Sequence, residues 1–323
     1  MRNTGEFIAD AYGLGAGTWT VTPVARGALG QIWKLSGNGT AWAVKELLFE
    51  KDEPDVGAES ALRDAAETLG ISAPRLLPDR TGAHVVRLPE GSWVKLYDWV
   101  DGTPADPSDA EILNWCGRTL ALLHKAGEGA GGTPADWYER CNPASDWAAL
   151  LGKVERAGLP WAAELGRFVA TTAVELARHV SPSSPGDVLT SHLDMRPQNV
   201  LVGPDGPVLL DWDNAGPVSA ERELARAVYV WSGGNRFDAE AARRLVRAYR
   251  DAGGRAVVKD VDAFSMLFAT DLNYVYVQAA CAVDPTVTAE QRAFGSRAAV
   301  ATLRGLPDVG AVARLTQALE GEW

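Results

Sequence analysis

The sequence predicts an α+β chain in two lobes, a small β-rich N-terminal lobe and a larger, mainly helical C-terminal lobe. Three observations carry this expectation. The first hundred residues alternate short β-prone runs with Gly-rich turns. Beyond Gly102, apolar residues recur at three- and four-residue intervals over long stretches. Inside that helical half, residues 187–218 interrupt the helical period with two short strands around a turn. A chain of 323 residues is long enough to bury the core such a plan needs. The expected boundaries are 1–97 for the first lobe, 98–102 for the joint and 103–323 for the second lobe, and a cleft at the joint is a natural ligand site.

Taken in order, Trp19–Val24, Ile32–Leu35 and Trp42–Leu47 read as strands, parted by turns at Gly27–Gly30 and Gly37–Gly39. Ala58, Leu62, Ala65, Ala66 and Leu69 then line one face of a helix over Asp55–Leu69, which Gly70 ends, with Pro74 shortly beyond. His84–Leu88 and Trp93–Tyr97 return to strand character. Helices are expected over Asp109–Lys125, Ser145–Ala157, Leu159–Val180, Ala220–Trp231, Asp238–Ala252, Asp260–Val283, Thr288–Leu303 and Val309–Leu319. The strand insert is Val200–Val202 and Val208–Leu210, around a Pro/Gly turn at Gly203–Pro207. The stretches Gly127–Pro134 and Ser181–Gly186 read as surface connectors.

Composition narrows the function. An apolar fraction of 46% with 23% charged residues is that of an ordinary globular protein, so disorder and fibrous architectures are not expected. The net charge is −11, and no Lys/Arg-rich run supplies the basic patch that nucleic acid requires. An acidic balance suits a cationic ligand, because carboxylates concentrate amines, and it also simply keeps a protein soluble. Cys116, Cys141 and Cys281 are scattered and form no CxxC pair, so neither a disulfide framework nor a zinc site is indicated. Met1–Gly15 has no continuous apolar core for a signal peptide. The nearest approach to a membrane span, Phe264–Val283, contains Asp271, Asn273 and Gln278; a central Asp alone costs about 3 kcal/mol on insertion, so a buried helix, no membrane partner and a cytoplasmic protein are expected.

The densest chemistry lies in Ser191-His192-Leu193-Asp194-Met195-Arg196-Pro197-Gln198-Asn199-Val200, followed by Leu210-Asp211-Trp212-Asp213. Strand ends put Asp194, Asn199 and Asp211 on loops, where polar side chains converge. Phosphoryl transfer needs a carboxylate to orient or deprotonate the attacking hydroxyl, and oxygen ligands to hold Mg²⁺ against the phosphates. An Asp, an Asn five residues on, and an Asp after the next hairpin supply those parts in order. Asp and Asn are also common turn residues, but a turn needs one of them, not the full set at this spacing.

This segment resembles the H-G-D-x-x-x-x-N loop and following D-W/F-E/D signature of the aminoglycoside phosphotransferases and their choline-kinase-like relatives. The resemblance implies a protein-kinase-like fold, Asp194 as catalytic base, His192 supporting the loop, and Asn199 and Asp211 binding Mg²⁺. Leu193 departs from the usual Gly, while the reactive positions are intact. The D-F-G and A-P-E elements of protein kinases are absent. Trp212 is expected to pack. The upstream half should then bind a nucleoside triphosphate, ATP or GTP. Lys45, closing the strand Ala43-Val44-Lys45, is expected to reach the α/β-phosphates, held by Glu59 of the following helix. Gly27 and Gly30, in Arg26-Gly27-Ala28-Leu29-Gly30-Gln31, could let backbone N–H groups approach phosphate, although any hairpin could carry such glycines. Tyr97-Asp98-Trp99-Val100-Asp101-Gly102 resembles the family's interlobe hinge, where backbone groups near Asp98 and Val100 would bind the base edge. His124 matches a common structural position, and Glu223 is expected to brace the catalytic loop. The resemblance spans roughly residues 27–225.

The acceptor is less legible. Asp271 shares a helix face with Phe264, Leu267, Phe268 and Val275, and a carboxylate on an apolar stripe must either be paired or serve a ligand. Asp213 is suited either to a second metal or to a substrate amine. The leading expectation is a small-molecule kinase acting on an aminoglycoside-like antibiotic, an amino alcohol or a sugar. A degenerate kinase fold serving as a binding or regulatory module is the alternative, and it would ordinarily have lost one of Lys45, Asp194, Asn199 or Asp211. A metal-dependent hydrolase would want a histidine-rich site, and His84, His124, His179 and His192 lack that spacing.

Overall fold

The structure is a computed structural model and describes residues 4–26, 30–47 and 51–323. In chain order the elements begin with α1 (Gly5–Ala11), β1 (Thr20–Arg26), β2 (Gly30–Gly37), β3 (Thr40–Leu47) and α2 (Glu53–Thr68). Next come β4 (Leu76–Leu77), β5 (Val86–Arg87), β6 (Trp93–Asp98), β7 (Thr103–Pro104), α3 (Ala110–Ala126) and α4 (Asp136–Glu139). The chain continues through α5 (Ala144–Arg156), α6 (Ala162–Ala170), α7 (Thr172–Ala177), β8 (Val188–Ser191), β9 (Val200–Gly203), β10 (Gly206–Leu209) and β11 (Gly216–Ser219). It ends with α8 (Ala220–Ser232), α9 (Ala239–Asp251), α10 (Ser265–Val283), α11 (Ala289–Gly305) and α12 (Val309–Ala318). The α+β class expected from the sequence is the one observed.

The chain forms two compact units, Met1–Asp106 with Ser191–Gly216, and Pro107–Thr190 with Pro217–Trp323. The segment that carries the Asp/Asn cluster therefore groups with the N-terminal strands.

In the first unit an antiparallel sheet runs in the order β1-β2-β3-β6-β4, with β5 also paired to β6. Strand alternation gives the sheet two chemically different faces. On one face Val21, Leu35, Val44, Val94 and Leu96 join Ile8, Ala9 and Tyr12 of α1 in a core. The α1 helix was not legible in the sequence, because its seven residues make fewer than two turns. On the other face Lys45 and Lys95 lie directly opposite each other in the β3–β6 ladder. A smaller sheet in the order β10-β9-β7 completes this unit. Its hairpin closes with Gly203 paired to Gly206.

The second unit is helical around α10, which is apolar on most of its circumference and correspondingly buried. Among the described residues no helix is long and apolar enough to cross a membrane. The expected helix over Leu159–Val180 is two helices. Thr171 leaves helical geometry at φ −129°, ψ −78°, and its hydroxyl donates back to the Arg167 carbonyl at 2.8 Å. This local bond competes with helix continuation. Helices α3 and α9 approach so closely that a Cβ at Gly117 would lie 2.2 Å from the Leu245 carbonyl oxygen.

A buried polar cluster ties α3, α8 and α9 together. His124 Nε2 bonds a Glu223 carboxylate oxygen and Nδ1 bonds the Tyr249 hydroxyl, each at 2.9 Å. Burial pushes the Tyr249 phenol up to about 12, so it stays protonated. Replacing the ring by His124→Leu strips partners from two buried oxygens and should cost about 1–3 kcal/mol. Denaturant titration of wild type and variant checks this, and an unchanged midpoint would contradict it.

Candidate active site

The residues of the loop from His192 to Asn199 are held by backbone geometry that starts at His192. This ring is fully buried; Nε2 lies 3.0 Å from the Leu210 carbonyl, and Nδ1 accepts from the Asp194 N–H at 3.3 Å. These two bonds together fix the tautomer with hydrogen on Nε2. The ring also packs edge-on to Trp212, with centroids 4.9 Å apart, and Trp212 is itself buried and donates to the Leu209 carbonyl. His192 thus acts on the loop's shape, pinning the start of the Asp194 turn to the residue before Asp211.

Leu193 explains why a glycine is the simpler choice at its position. Its φ is +62°, in the left-handed region, which costs an L-residue about 1–2 kcal/mol. Its side chain is buried, and that burial offsets the backbone cost. The turn beyond it closes on Asn199. The Asn199 amide nitrogen donates to the Asp194 carbonyl at 2.9 Å and to Asp194 Oδ2 at 2.8 Å, while Arg196 Nε pairs with Asp194 Oδ1 at 2.9 Å. Pro197 opens the 3₁₀ turn Pro197–Asn199, a position where its missing N–H costs nothing. With its amide nitrogen committed to Asp194, Asn199 has its carbonyl oxygen as the group to offer a cation. The Leu210 N–H donates to the Asn199 backbone carbonyl at 2.8 Å, which ties this loop to the Asp211 segment.

Asp211 is the second non-glycine residue of this region in the left-handed conformation, at φ +61°, ψ +63°. The kink turns the chain out of β10 into the 3₁₀ turn Trp212–Asn214 and aims two carboxylates at the sheet. Lys45 Nζ lies 2.6 Å from Asp211 Oδ1 and 2.5 Å from Asp213 Oδ2. The Asp211 side chain is 38% exposed and the Asp213 side chain 3%. Burial alone would lower the Lys45 ammonium, but Asp213 and Asp211 hold it well above the ordinary lysine range. Burial would likewise raise the Asp213 carboxyl, and Lys45, Lys95 and Lys51 hold it far below the carboxylate range.

Glu59 is buried in α2 and binds different lysines from the one expected. It pairs with Lys51 and, at 2.9 Å, with Lys95. Lys95 also pairs with Asp213, and Lys51 donates to the Asp213 carbonyl at 2.7 Å. The Tyr97 hydroxyl donates to Asp213 Oδ1 at 3.3 Å, and loss of hydration together with the nearby Asp213, Glu59 and Asp211 carboxylates keeps its pKa far above the ordinary phenol. The structure therefore brings Lys45, Asp211 and Asp213 together and links Glu59 to Lys45 through Lys95 and Asp213. For Asp213 the sequence left a second metal or a substrate amine open; its carboxylate is instead enclosed by protein cations.

Lys95, Lys51, Tyr97 and Arg196 were missed from sequence. A signal for Lys95 existed: a lysine between Val94 and Leu96, in the middle of a strand whose alternate residues are core, repeats the Ala43-Val44-Lys45 pattern.

Gly27 lies outside the described residues. At Gly30 a Cβ would stand 2.3 Å from the Glu46 carbonyl oxygen, so close packing of the β2–β3 ladder itself demands glycine. The Asp98 N–H donates to the Arg75 carbonyl at 3.1 Å, and the Asp98 carboxylate takes a bidentate pair from the Arg75 guanidinium. Val100, just beyond, is half-buried. In the second unit, Asp271 is half-buried on α10 amid buried Leu267, Phe268 and Val275. It raises the pKa of Tyr229 together with burial, the larger cause, and Asp308.

This plan, a strand lysine above acidic loops that follow short strands, is that of the kinase-type phosphotransferases acting on small molecules. The chain belongs to the phosphotransferase enzyme family, whose model matches residues 20–260. No curated protein sequence matches it. Among solved structures, a spectinomycin phosphotransferase in complex with ADP and spectinomycin is similar over 97% of both chains, at 15% identity and a TM-score of 0.67. A microcompartment-associated aminopropanol kinase is similar over 93% of this chain and 94% of its own, at 15% identity and a TM-score of 0.60. An amicoumacin kinase in complex with AMP-PNP and Ca²⁺ is similar over 94% and 95%, at 14% identity and a TM-score of 0.60. At such identities these likenesses establish the protein-kinase-like fold.

The left-handed backbone at residue 193 generates a prediction. Leu193→Gly removes the strain together with a buried side chain, and the packing loss is the larger. Stability should fall by about 1–3 kcal/mol in denaturant titration while turnover stays within a few-fold. A stabilised variant would contradict the balance drawn here.

Proposed function

We propose that this phosphotransferase moves the γ-phosphate of ATP or GTP to a hydroxyl of a small molecule, with Asp194 as the base. The observation that carries this reading is the Asp194–Asn199 clamp, in which one amide nitrogen fixes the carboxylate and the amide oxygen is the group suited to a cation. In outline, Asp194 orients the acceptor hydroxyl and takes its proton as the oxygen attacks phosphorus. Arg196, bonded to the same carboxylate, helps orient it. Lys45 meets the nucleotide phosphates, and backbone groups of the hinge at 98–102, near Val100, receive the base edge.

The donor set suits Mg²⁺: Asn199 and Asp211 offer only oxygens, the ligands a hard cation takes. Bound there, Mg²⁺ would supply charge neutralisation on the phosphates. Asn199 and Asp211 would hold it.

Amine-bearing acceptors are favoured by the net charge of −11 and by the half-buried Asp271 carboxylate. The spectinomycin and aminopropanol kinases that share the fold lend support to an antibiotic or an amino alcohol, with a sugar as the remaining class. A degenerate binding module is disfavoured because Lys45, Asp194, Asn199 and Asp211 are all present.

A screen of hydroxyl compounds for acceptor-dependent ADP or GDP release tests the reading. With the acceptor found, Asp194→Asn should reduce turnover by about 10² or more and leave nucleotide affinity nearly unchanged, and EDTA should stop the reaction. Wild-type turnover in the variant, or full activity in metal-free buffer, would refute the mechanism.

A further inference from the structure

From the nucleotide-kinase reading above, we infer that Asp213, fixed by the buried Lys95, is the carboxylate that positions Lys45 for the phosphates, and that Glu59 serves one step removed by fixing Lys95.

Lys45 and Lys95 are directly opposite on adjacent antiparallel strands, so their side chains leave the same face of the sheet. Two ammonium groups so placed repel each other unless anions stand between them. Lys95 is fully buried, and Lys45 is nearly so. Asp213 supplies the anion between them: Oδ2 lies 2.5 Å from Lys45, and Oδ1 pairs with Lys95. Glu59 then takes Lys95 at 2.9 Å and Lys51 on its other oxygen. Charges alternate along the path Lys51, Glu59, Lys95, Asp213, Lys45 and Asp211. Every described member belongs to one compact unit.

The exposures along the path assign the roles. Asp211, at 38%, is the open end and the partner that Lys45 can exchange for phosphate. Asp213, at 3%, is the closed end, held between Lys45 and Lys95. Without Lys95, Asp213 would place its whole charge on Lys45 and hold the ammonium back from the phosphates. With Lys95 it is shared between two cations, which leaves Lys45 positive toward the nucleotide. Replacing Glu59, Lys95 and Asp213 together by apolar side chains of similar volume would be no worse for folding than a buried ionic set, so the charges at these three positions point to this use. Lys95 is a positioning residue, acting through Asp213.

Binding of Mg·AMP-PNP and Mg·GMP-PNP to the full chain, measured alongside melting curves, tests the inference without an identified acceptor. Wild type should bind one of the two. Asp213→Asn, which keeps the side-chain shape, should weaken that binding by about tenfold or more, and Glu59→Gln should weaken it less. Lys95→Met should show the Asp213→Asn loss, and Lys95→Met with Asp213→Asn should lose less than the product of the two single effects. Binding within about twofold of wild type in folded Asp213→Asn or Lys95→Met would leave those residues a purely structural role and overturn the inference alone. A larger effect from Glu59→Gln than from Asp213→Asn would also overturn it, and this comparison holds even if Lys95→Met does not fold. A wild type that binds neither nucleotide would overturn both this inference and the reading beneath it.

Discussion

Asp213 is the carboxylate on which the arrangement of the site depends. It sits at the end of a kinked hairpin and beneath a sheet, and it is the contact through which the sheet's two buried lysines meet the acidic loop. Placing a carboxylate in so dry a position is costly unless cations surround it, and three lysines do. Their arrangement follows from the sheet: opposite residues of an antiparallel pair share a face, and here both are lysine. The same carboxylate accepts from the Tyr97 hydroxyl, so its lone pairs are well used. Electrostatics and strand register therefore meet at one residue.

The loops are shaped to deliver those charges. Two non-glycine residues, Leu193 and Asp211, adopt left-handed backbone within twenty positions of each other. Each begins a turn that reverses a polar side chain out of a strand direction. His192 links the two, bonding the Leu210 carbonyl on one side and the Asp194 N–H on the other. Strain at such positions persists where the surroundings over-determine the backbone, and burial of Leu193 with the ion pairs of Asp211 supplies that.

Much of this was legible in the residue order. The strand insert around Gly203–Gly206, the helix bearing Glu59, and the Asp194–Asn199–Asp211 spacing all rest on local patterns, which sequence carries well. The short α1 helix was hidden because so few turns give no clear period. The break at Thr171 was hidden because it depends on one hydroxyl choosing a backbone partner. The partner of Lys45 was hidden for a different reason. Helix spacing finds a carboxylate at Glu59, but which cation it meets depends on the register of β3 against β6 and on a lysine at position 95. Pairing across strands is a tertiary fact that no single segment records. The lysine partners of Asp213 were hidden in the same way, since they come from strands distant in sequence and meet it only in the fold.

The arrangement of Lys45 between Asp211 and Asp213 is the central claim, and a crystal structure with Mg·nucleotide bound tests it most directly. The account predicts that Lys45 Nζ leaves Asp211 for a phosphate oxygen and stays bonded to Asp213, while Lys95 keeps both Asp213 and Glu59. A complex in which Lys45 instead pairs with Glu59, and Asp213 has moved off both lysines, would contradict it.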